Sequence, residues 1–416
     1  APPADPGATA PRPETAADAP RYNDRLAVDL SPVQIDSLLA VWRERQTLGA
    51  YEEFFSTYVG FDPAAAAAGD RTPDSVYVRR LRDLVSPVQL PYNYIVKGYI
   101  DRYTNVRSGT ISRILGMSQY YFPLIEEELI KAGLPVELRA LPIIESALSP
   151  TAVSPMGAAG LWQFMPATGK VYGLEVNSLV DERCDPVLST RAACRYLKDL
   201  YTLYKDWTLA IAAYNCGPGN VNKALARAGD GSRTFWDIYD FLPRETRGYV
   251  PAFIGASYAY AYHKLHGIEF TEPPLPLATD TIRVDRLLHL GQVSSTIDIP
   301  METLRQLNPQ YKLDIVPATT KTYSLVLPQR YVCRYIQQQD SIFAKDSAYL
   351  KEYMNPANLE KKRQQRSGTI YTVKKGDTLG AIARKYRVTT AQLMRWNGIK
   401  NANKLRLGQK IRIEGR

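Results

Sequence analysis

Beyond Ile268 the sequence repeats itself at a constant offset of 89 residues. Val284 falls on Val373, Leu290 on Leu379, Val293 on Ile382, Ile297 on Tyr386, Leu304 on Leu393 and Asn308 on Asn397. Each copy opens on a short β-like run, Thr281 to Val284 or Tyr371 to Val373, and closes on another, Tyr323 to Leu327 or Lys410 to Ile413. A helical pattern lies between. A constant offset across strand, helix and loop positions is the mark of a duplicated βααβ unit. Residues 84–266 instead carry helix-period apolar spacing almost throughout. The fold class predicted is therefore α+β and multidomain: a mainly α body followed by two small βααβ modules.

Boundaries follow from punctuation. Residues 1–20 hold seven Ala and six Pro and read as a disordered leader. The helical domain is expected over 21–267, with its first helical stretch from Tyr22 to about Phe61 and a surface excursion at Pro63 to Ala68. A long helix is expected over Thr104 to Lys131, and Ser189-Thr190 is expected to cap the helix that follows it. Pro273, Pro274 and Pro276 mark a linker. The first module is expected at 278–329, a polar linker at 330–367 and the second module at 368–414.

Charge is unevenly placed. The net formal charge is +10, yet residues 361–416 hold sixteen Lys+Arg against Asp377 and Glu414. A mildly acidic body thus carries a basic tail, which suits an anionic polymer or surface. Four cysteines and three histidines show no metal-ligand spacing, so no metal and no cofactor are expected. Cys184 and Cys194 are either a short-loop disulfide or two buried thiols.

The chemistry concentrates at Glu145. It lies in Leu141-Pro142-Ile143-Ile144-Glu145-Ser146-Ala147-Leu148, near the C-terminal end of a helix starting around Pro135. Apolar neighbours and the negative helix end both raise a carboxyl pKa. A carboxylic acid kept protonated at neutral pH is a general acid. From Ser146 to Leu174 there is no Asp or Glu. Hydroxyls, amides and Trp162 stand there instead, which suits a neutral sugar polymer. Standard glycoside hydrolysis needs a second carboxylate; the near sequence offers none, though distant acids such as Asp181, Glu182 or Asp185 could fold back to supply one.

Ile144-Glu145-Ser146, Gly160-Leu161-Trp162-Gln163-Phe164-Met165-Pro166, Thr168-Gly169, Asp181-Glu182-Arg183, Ala213-Tyr214-Asn215 and Tyr249-Val250 together resemble the SLT-type lytic transglycosylase domain, in the membrane-bound D type with LysM repeats. Tyr371 to Leu379 is similar to the opening of a LysM module. The resemblance spans about residues 94–260 and implies a lysozyme-like α fold and a lyase. That lyase would cleave peptidoglycan between N-acetylmuramic acid and N-acetylglucosamine and leave 1,6-anhydro ends. It implies Glu145 as acid then base. Ser146, Ser154, Gln163, Met165, Tyr214, Asn215 and Tyr249 would be the substrate-binding set, and Gly376, Asp377, Thr378 and Ile399 would bind glycan in the LysM module. Trp162 is either core or a sugar platform. The partner implied is the glycan strand and not nucleic acid, the location the periplasm or outer membrane, and the state a monomer. The leader is a candidate membrane tether. A goose-type hydrolase and a non-catalytic wall-binding protein are the alternatives.

Overall fold

The computed structural model describes residues 72–350 and 369–413, except for a few single positions. The leader, the stretch from Tyr22 to Phe61, the Pro63–Ala68 interruption and most of the second half of the expected linker lie outside the described residues.

The body begins with α1 (Asp74–Asp83) and α2 (Tyr94–Asp101). A single π-helical turn, Arg102–Val106, precedes the 25-residue α3 (Ser108–Ala132). The expected long helix therefore starts later than its apolar spacing suggests. A 3-10 turn, Val136–Ala140, leads into the six-residue α4 (Leu141–Ser146). Then follow α5 (Pro166–Val171), α6 (Pro186–Tyr204), α7 (Trp207–Cys216), α8 (Pro218–Ala228), the one-turn α9 (Arg244–Arg247) and α10 (Tyr249–Tyr262). Helix α10 buries ten of its residues, from Tyr249 to Ala259, so it runs through the centre of the body with apolar groups all round. It packs on α2 where Gly255 meets Tyr99: an added Cβ would stand 3.0 Å from the Tyr99 backbone.

The cap of α6 differs from expectation. Asp185, not Ser189-Thr190, accepts the Val187 and Leu188 N–H groups, each at 2.9 Å. Pro186 follows at the first helical position, where a missing N–H costs nothing. Ser189 and Thr190 sit inside the helix and donate their hydroxyls back to the Asp185 and Pro186 carbonyls.

No disulfide joins Cys184 and Cys194; both are buried free thiols. Cys184 lies before the helix, packed on Val153 and Ala159, whereas Cys194 lies nine residues into α6 in the main core. A helical rise of 1.5 Å per residue separates them by roughly 13 Å, twice what an S–S bridge spans.

The first module pairs β1 (Thr279–Val284) antiparallel with β4 (Tyr323–Pro328), and the short β2 (Leu288–His289) with β3 (Ile315–Val316). Helices α11 (Leu290–Ile297) and α12 (Met301–Leu307) lie between. The segment from 330 onward is not simply a linker. Helices α13 (Gln329–Gln337) and α14 (Gln339–Phe343) fold back, and Tyr335, Ile342, Phe343 and Leu350 join the module's core. Gln292 holds them with bonds to the Ile342 carbonyl (3.0 Å) and Asp346 (2.7 Å).

The second module pairs β5 (Thr369–Thr372) with β6 (Lys410–Ile413) around α15 (Leu379–Lys385) and α16 (Thr390–Asn397). The repeat is visible in side-chain detail. Val284 and Val373, Leu290 and Leu379, Val293 and Ile382, and Leu304 and Leu393 are buried pairwise. Asn308 donates to the Leu304 carbonyl at 2.9 Å, and Asn397 to the Leu393 carbonyl at 2.8 Å.

The 153–164 loop lies directly on the chain at Arg183. Gly160 has φ +86°, and a Cβ there would stand 1.7 Å from the Arg183 carbonyl oxygen. Gly160→Ala combines left-handed strain with a backbone clash and should cost about 3 kcal/mol. Urea unfolding of the purified variant reads this as a lowered midpoint; an unchanged midpoint refutes the packing described.

Candidate active site

Glu145 is the last residue but one of α4. The helix stops abruptly after it. The Ala147 N–H returns to the Ile143 carbonyl and the Leu148 N–H to the Pro142 carbonyl, closing a left-handed turn at the helix end. That turn places Ala147 and Leu148 at φ 52° and 58°, left-handed without glycine. Such residues store strain of about 1 kcal/mol or more each, and they cluster at functional sites.

The Glu145 carboxyl is only 8% exposed. Tyr249, the first residue of α10, donates its hydroxyl to Glu145 Oε1. Burial pushes the Glu145 pKa up to about 8; the Tyr249 hydrogen bond pulls the other way, and the negative charge of Glu245 adds to the rise. Glu245 is exposed on α9, four residues before Tyr249. At neutral pH Glu145 is therefore mostly a neutral acid within reach of a phenol.

The loop after α4 packs back against the helix. Ser146 is 2% exposed, and its hydroxyl lies 3.1 Å from the Pro142 carbonyl and 3.0 Å from that of Leu161. It ties the helix to the loop. Trp162 is fully buried and donates to Thr190 (2.9 Å), so it is core and not a sugar platform. Gln163 takes φ 47° and donates from Nε2 to the Ala152 and Gly160 carbonyls. Its Oε1 is buried with no partner among the described residues. An unpaired buried acceptor costs free energy until a donor arrives, and a ligand hydroxyl or amide N–H would supply one. Ser154 Oγ accepts the Ala158 N–H at 3.1 Å, and Met165 stands 39% exposed at the start of α5.

Tyr214 donates to the Trp162 carbonyl at 2.8 Å. Burial, and then the nearby Glu145 charge, raise its pKa well above the ordinary phenol value. Asn215 Oδ1 accepts the Thr246 hydroxyl at 2.8 Å. The structure thus gathers Glu145, Tyr249 and Tyr214. Each of the three acids considered as a second carboxylate is tied elsewhere. Asp181 pairs with Arg183, Glu182 accepts the Glu175 N–H, and Asp185 caps α6. Glu245 and Thr246 escaped the sequence reading, because only the fold brings α9 to Glu145 and Asn215.

In the second module Gly376 makes a turn at φ 91°, Asp377 accepts the Lys374 N–H and the Tyr371 hydroxyl (both 2.7 Å), and Thr378 caps α15 through the Ala381 N–H. Ile399 packs against the module's core. Gly398 and Lys400, on either side of Ile399, lie outside the described residues.

Two consequences are measurable. The acid form is needed for general-acid work, so turnover should hold below pH 8 and fall as pH rises through about 8. Glu245→Gln removes a repelling charge and should move that limb to lower pH; Tyr249→Phe removes a stabilising bond and should move it higher. Limbs that stay put in both variants defeat the electrostatic account. The folded state also holds the Glu145 proton more tightly than the unfolded chain. This stability is complete below about pH 4 and is lost as pH climbs to about 8, up to roughly 5 kcal/mol in all. Glu145→Gln should flatten that part of the stability–pH curve, which denaturant titrations at pH 5 and 9 would resolve.

Comparison with known proteins sets this geometry among relatives. Residues 122–236 match the Transglycosylase SLT domain, residues 278–344 the LysM-like domain of the lytic transglycosylase MltD, and residues 371–414 the LysM domain. The membrane-bound lytic murein transglycosylase D of Escherichia coli K12 is 32% identical over 296 residues, 70% of this chain. The chain spans 63% of that relative's length. The soluble lytic murein transglycosylase of Escherichia coli K12 is 31% identical over 123 residues, 28% of this chain and 19% of its own. The solved lytic transglycosylase Slt of Pseudomonas aeruginosa aligns at 20% identity over 57% of this chain and 35% of its own, with a TM-score of 0.33. Tyr249 lies beyond the SLT match, yet it is the group bonded to Glu145. The chain thus carries an SLT domain followed by an MltD LysM-like domain and a LysM domain, and over these it is similar to lytic murein transglycosylases.

Proposed function

We propose that this chain cleaves the β-1,4 bond between N-acetylmuramic acid and N-acetylglucosamine in peptidoglycan and leaves 1,6-anhydro-muramoyl ends. The observation that carries the reading is the buried carboxyl of Glu145, whose pKa is raised to about 8 and whose Oε1 accepts from Tyr249. The similarity to lytic murein transglycosylases supports it independently.

In the first step Glu145 gives its proton to the glycosidic oxygen, the C1–O bond breaks, and N-acetylglucosamine leaves with a free 4-hydroxyl. The 2-acetamido carbonyl assists from below the ring. In the second step the muramoyl C6 hydroxyl bonds to C1, and the ionised Glu145 takes its proton. One carboxyl serves both transfers, and no water enters. Tyr249 holds the acid and steadies its ionised form between steps. Gln163 Oε1 accepts from the saccharide, while Ser154, Met165, Tyr214 and Asn215 border the cleft. The second module holds glycan near Gly376, Asp377, Thr378 and Ile399, and its basic surroundings suit a wall rich in peptide carboxylates. The site of action is the cell envelope, on the periplasmic or outer-membrane side, reached by the chain as a monomer.

One alternative has a specific observation behind it. Hydrolysis with added water needs a second carboxylate, and Glu245 is the acid whose field reaches Glu145. Mass spectrometry of digested sacculi separates the readings. Anhydro ends are expected from the wild type and from Glu245→Gln. Reducing ends made with water, lost in Glu245→Gln, would establish the hydrolase. Glu145→Gln should lower turnover by roughly 10²–10⁴-fold or more while glycan binding persists; undiminished turnover sinks the assignment.

A further inference from the structure

The first module meets the body along residues 177–181 through backbone bonds. The Asp181 N–H donates to the Gln310 carbonyl (2.9 Å) and the Lys312 N–H to the Leu179 carbonyl (2.8 Å), around a β-bridge between Val180 and Tyr311. Into this seam the module inserts a lysine. Lys312 is completely buried; its ammonium donates to the Asn177 carbonyl at 2.5 Å and lies 3.8 Å from Asp181 Oδ2. A buried lysine is rare unless paired. The turn after it is strained: Leu313 and Asp314 stand at φ 57° and 61°. Arg305 offsets that strain with a two-pronged grip on Asp314 at 3.0 and 2.9 Å.

Asp181 is completely buried as well, and both of its oxygens are taken by Arg183, at 2.8 and 2.7 Å. The remaining arm of Arg183 reaches the active-site loop, where Nη1 donates to the Gly157 carbonyl (2.7 Å) and the Phe164 carbonyl (2.9 Å). Those two carbonyls bracket the stretch that carries Gln163, and Gly157 itself donates to the Ser154 carbonyl. The chain of contacts is unbroken: Lys312, Asp181, Arg183, then the loop that faces Glu145.

We infer that the first module is a clamp on the catalytic site, with Lys312 a positioning residue that fixes Asp181 and Arg183 and thereby the glycan-contacting loop 153–164. The module's own polar groups serve this seam. Glu175 accepts from the Tyr323 hydroxyl at 3.1 Å and pairs with Lys321 on the module. The clamp deepens the proposed glycan-cleaving function and rests on it for its kinetic consequence, but not for its structural one.

The test uses the full chain with Lys312→Met, which fills the same space without charge, and Lys312→Gln, which keeps a donor for Asn177. Two readouts are taken. Hydrogen exchange without ligand follows the amides of 153–164, such as the Phe164 N–H on the Ala159 carbonyl. Steady-state kinetics follow cleavage of soluble uncrosslinked glycan chains. Both variants should exchange these amides about threefold faster or more, with α10 unchanged. KM should rise about tenfold in Lys312→Met and less in Lys312→Gln, with kcat within about threefold. Wild-type exchange across the loop in a folded variant overturns the clamp, as does a fall in kcat at unchanged KM. If Lys312→Met does not accumulate as folded protein, Lys312→Gln decides on the same criteria. A wild-type chain that cleaves nothing would remove the proposed function, while the exchange comparison would still decide the clamp.

Discussion

A guanidinium placed beneath a loop loses several kcal/mol of hydration unless its donors are bonded and its charge is met. Arg183 satisfies this with the Asp181 carboxylate on one side and the Gly157 and Phe164 carbonyls on the other. The loop 153–164 has little regular structure of its own: two single β-bridges, Val153 to Ala159 and Ala159 to Phe164, and a hydrophobic contact with Cys184. Its shape is therefore set from beneath, by Arg183, and by the absence of a side chain at Gly160 where the two backbones touch. Gln163 can hold its left-handed backbone and keep a buried, unpaired oxygen because both neighbouring segments are pinned.

Glu145 depends on a complementary arrangement. A carboxyl is kept neutral by burial, but a buried carboxyl can also stay inert. Two features keep Glu145 usable. The helix ends one residue beyond it, so the carboxyl stands at a terminus and not inside a packed barrel. Its hydrogen-bond partner is Tyr249, whose hydroxyl serves either protonation state. The closing turn at Ala147 and Leu148 supplies this abrupt ending at the cost of two strained residues, and the loop ties from Ser146 to Leu161 help to offset it.

What could be read in advance followed from local pattern. The 89-residue offset survives as shared burial and as the same asparagine bond in both modules. Glu145 stood out because its neighbours are apolar and the next acid is far along the chain. What escaped depends on partners distant in sequence. Ser146 looked like a ligand contact, and only the approach of Leu161 shows that its hydroxyl is engaged. Residues 330–350 look polar because α13 and α14 each turn one narrow face to the module, so composition hid Tyr335, Ile342 and Phe343. Asp185 and Ser189-Thr190 are all good capping types; Pro186 decided between them, since proline is tolerated at the first helical turn and fixes where the helix begins. The Asp181-Glu182-Arg183 run was noticed as a motif, yet its role could not be read without Lys312, more than a hundred residues away.

The electrostatics suit one carboxyl to the two opposite transfers of the proposed mechanism. A group with pKa about 8 is mostly protonated at pH 7 and so begins as an acid. The burial that raised the value disfavours the ionised form, so once the proton has left, the carboxylate is a stronger base than an exposed one. The same desolvation therefore favours both halves of the proposed cycle. Tyr249 sets the balance. Too strong a hydrogen bond would stabilise the carboxylate and weaken it as the second-step base, while its loss would leave the carboxyl without a partner. The charge of Glu245, exposed and screened by solvent, tilts this balance toward the acid and leaves Tyr249 as the contact that holds the group in place.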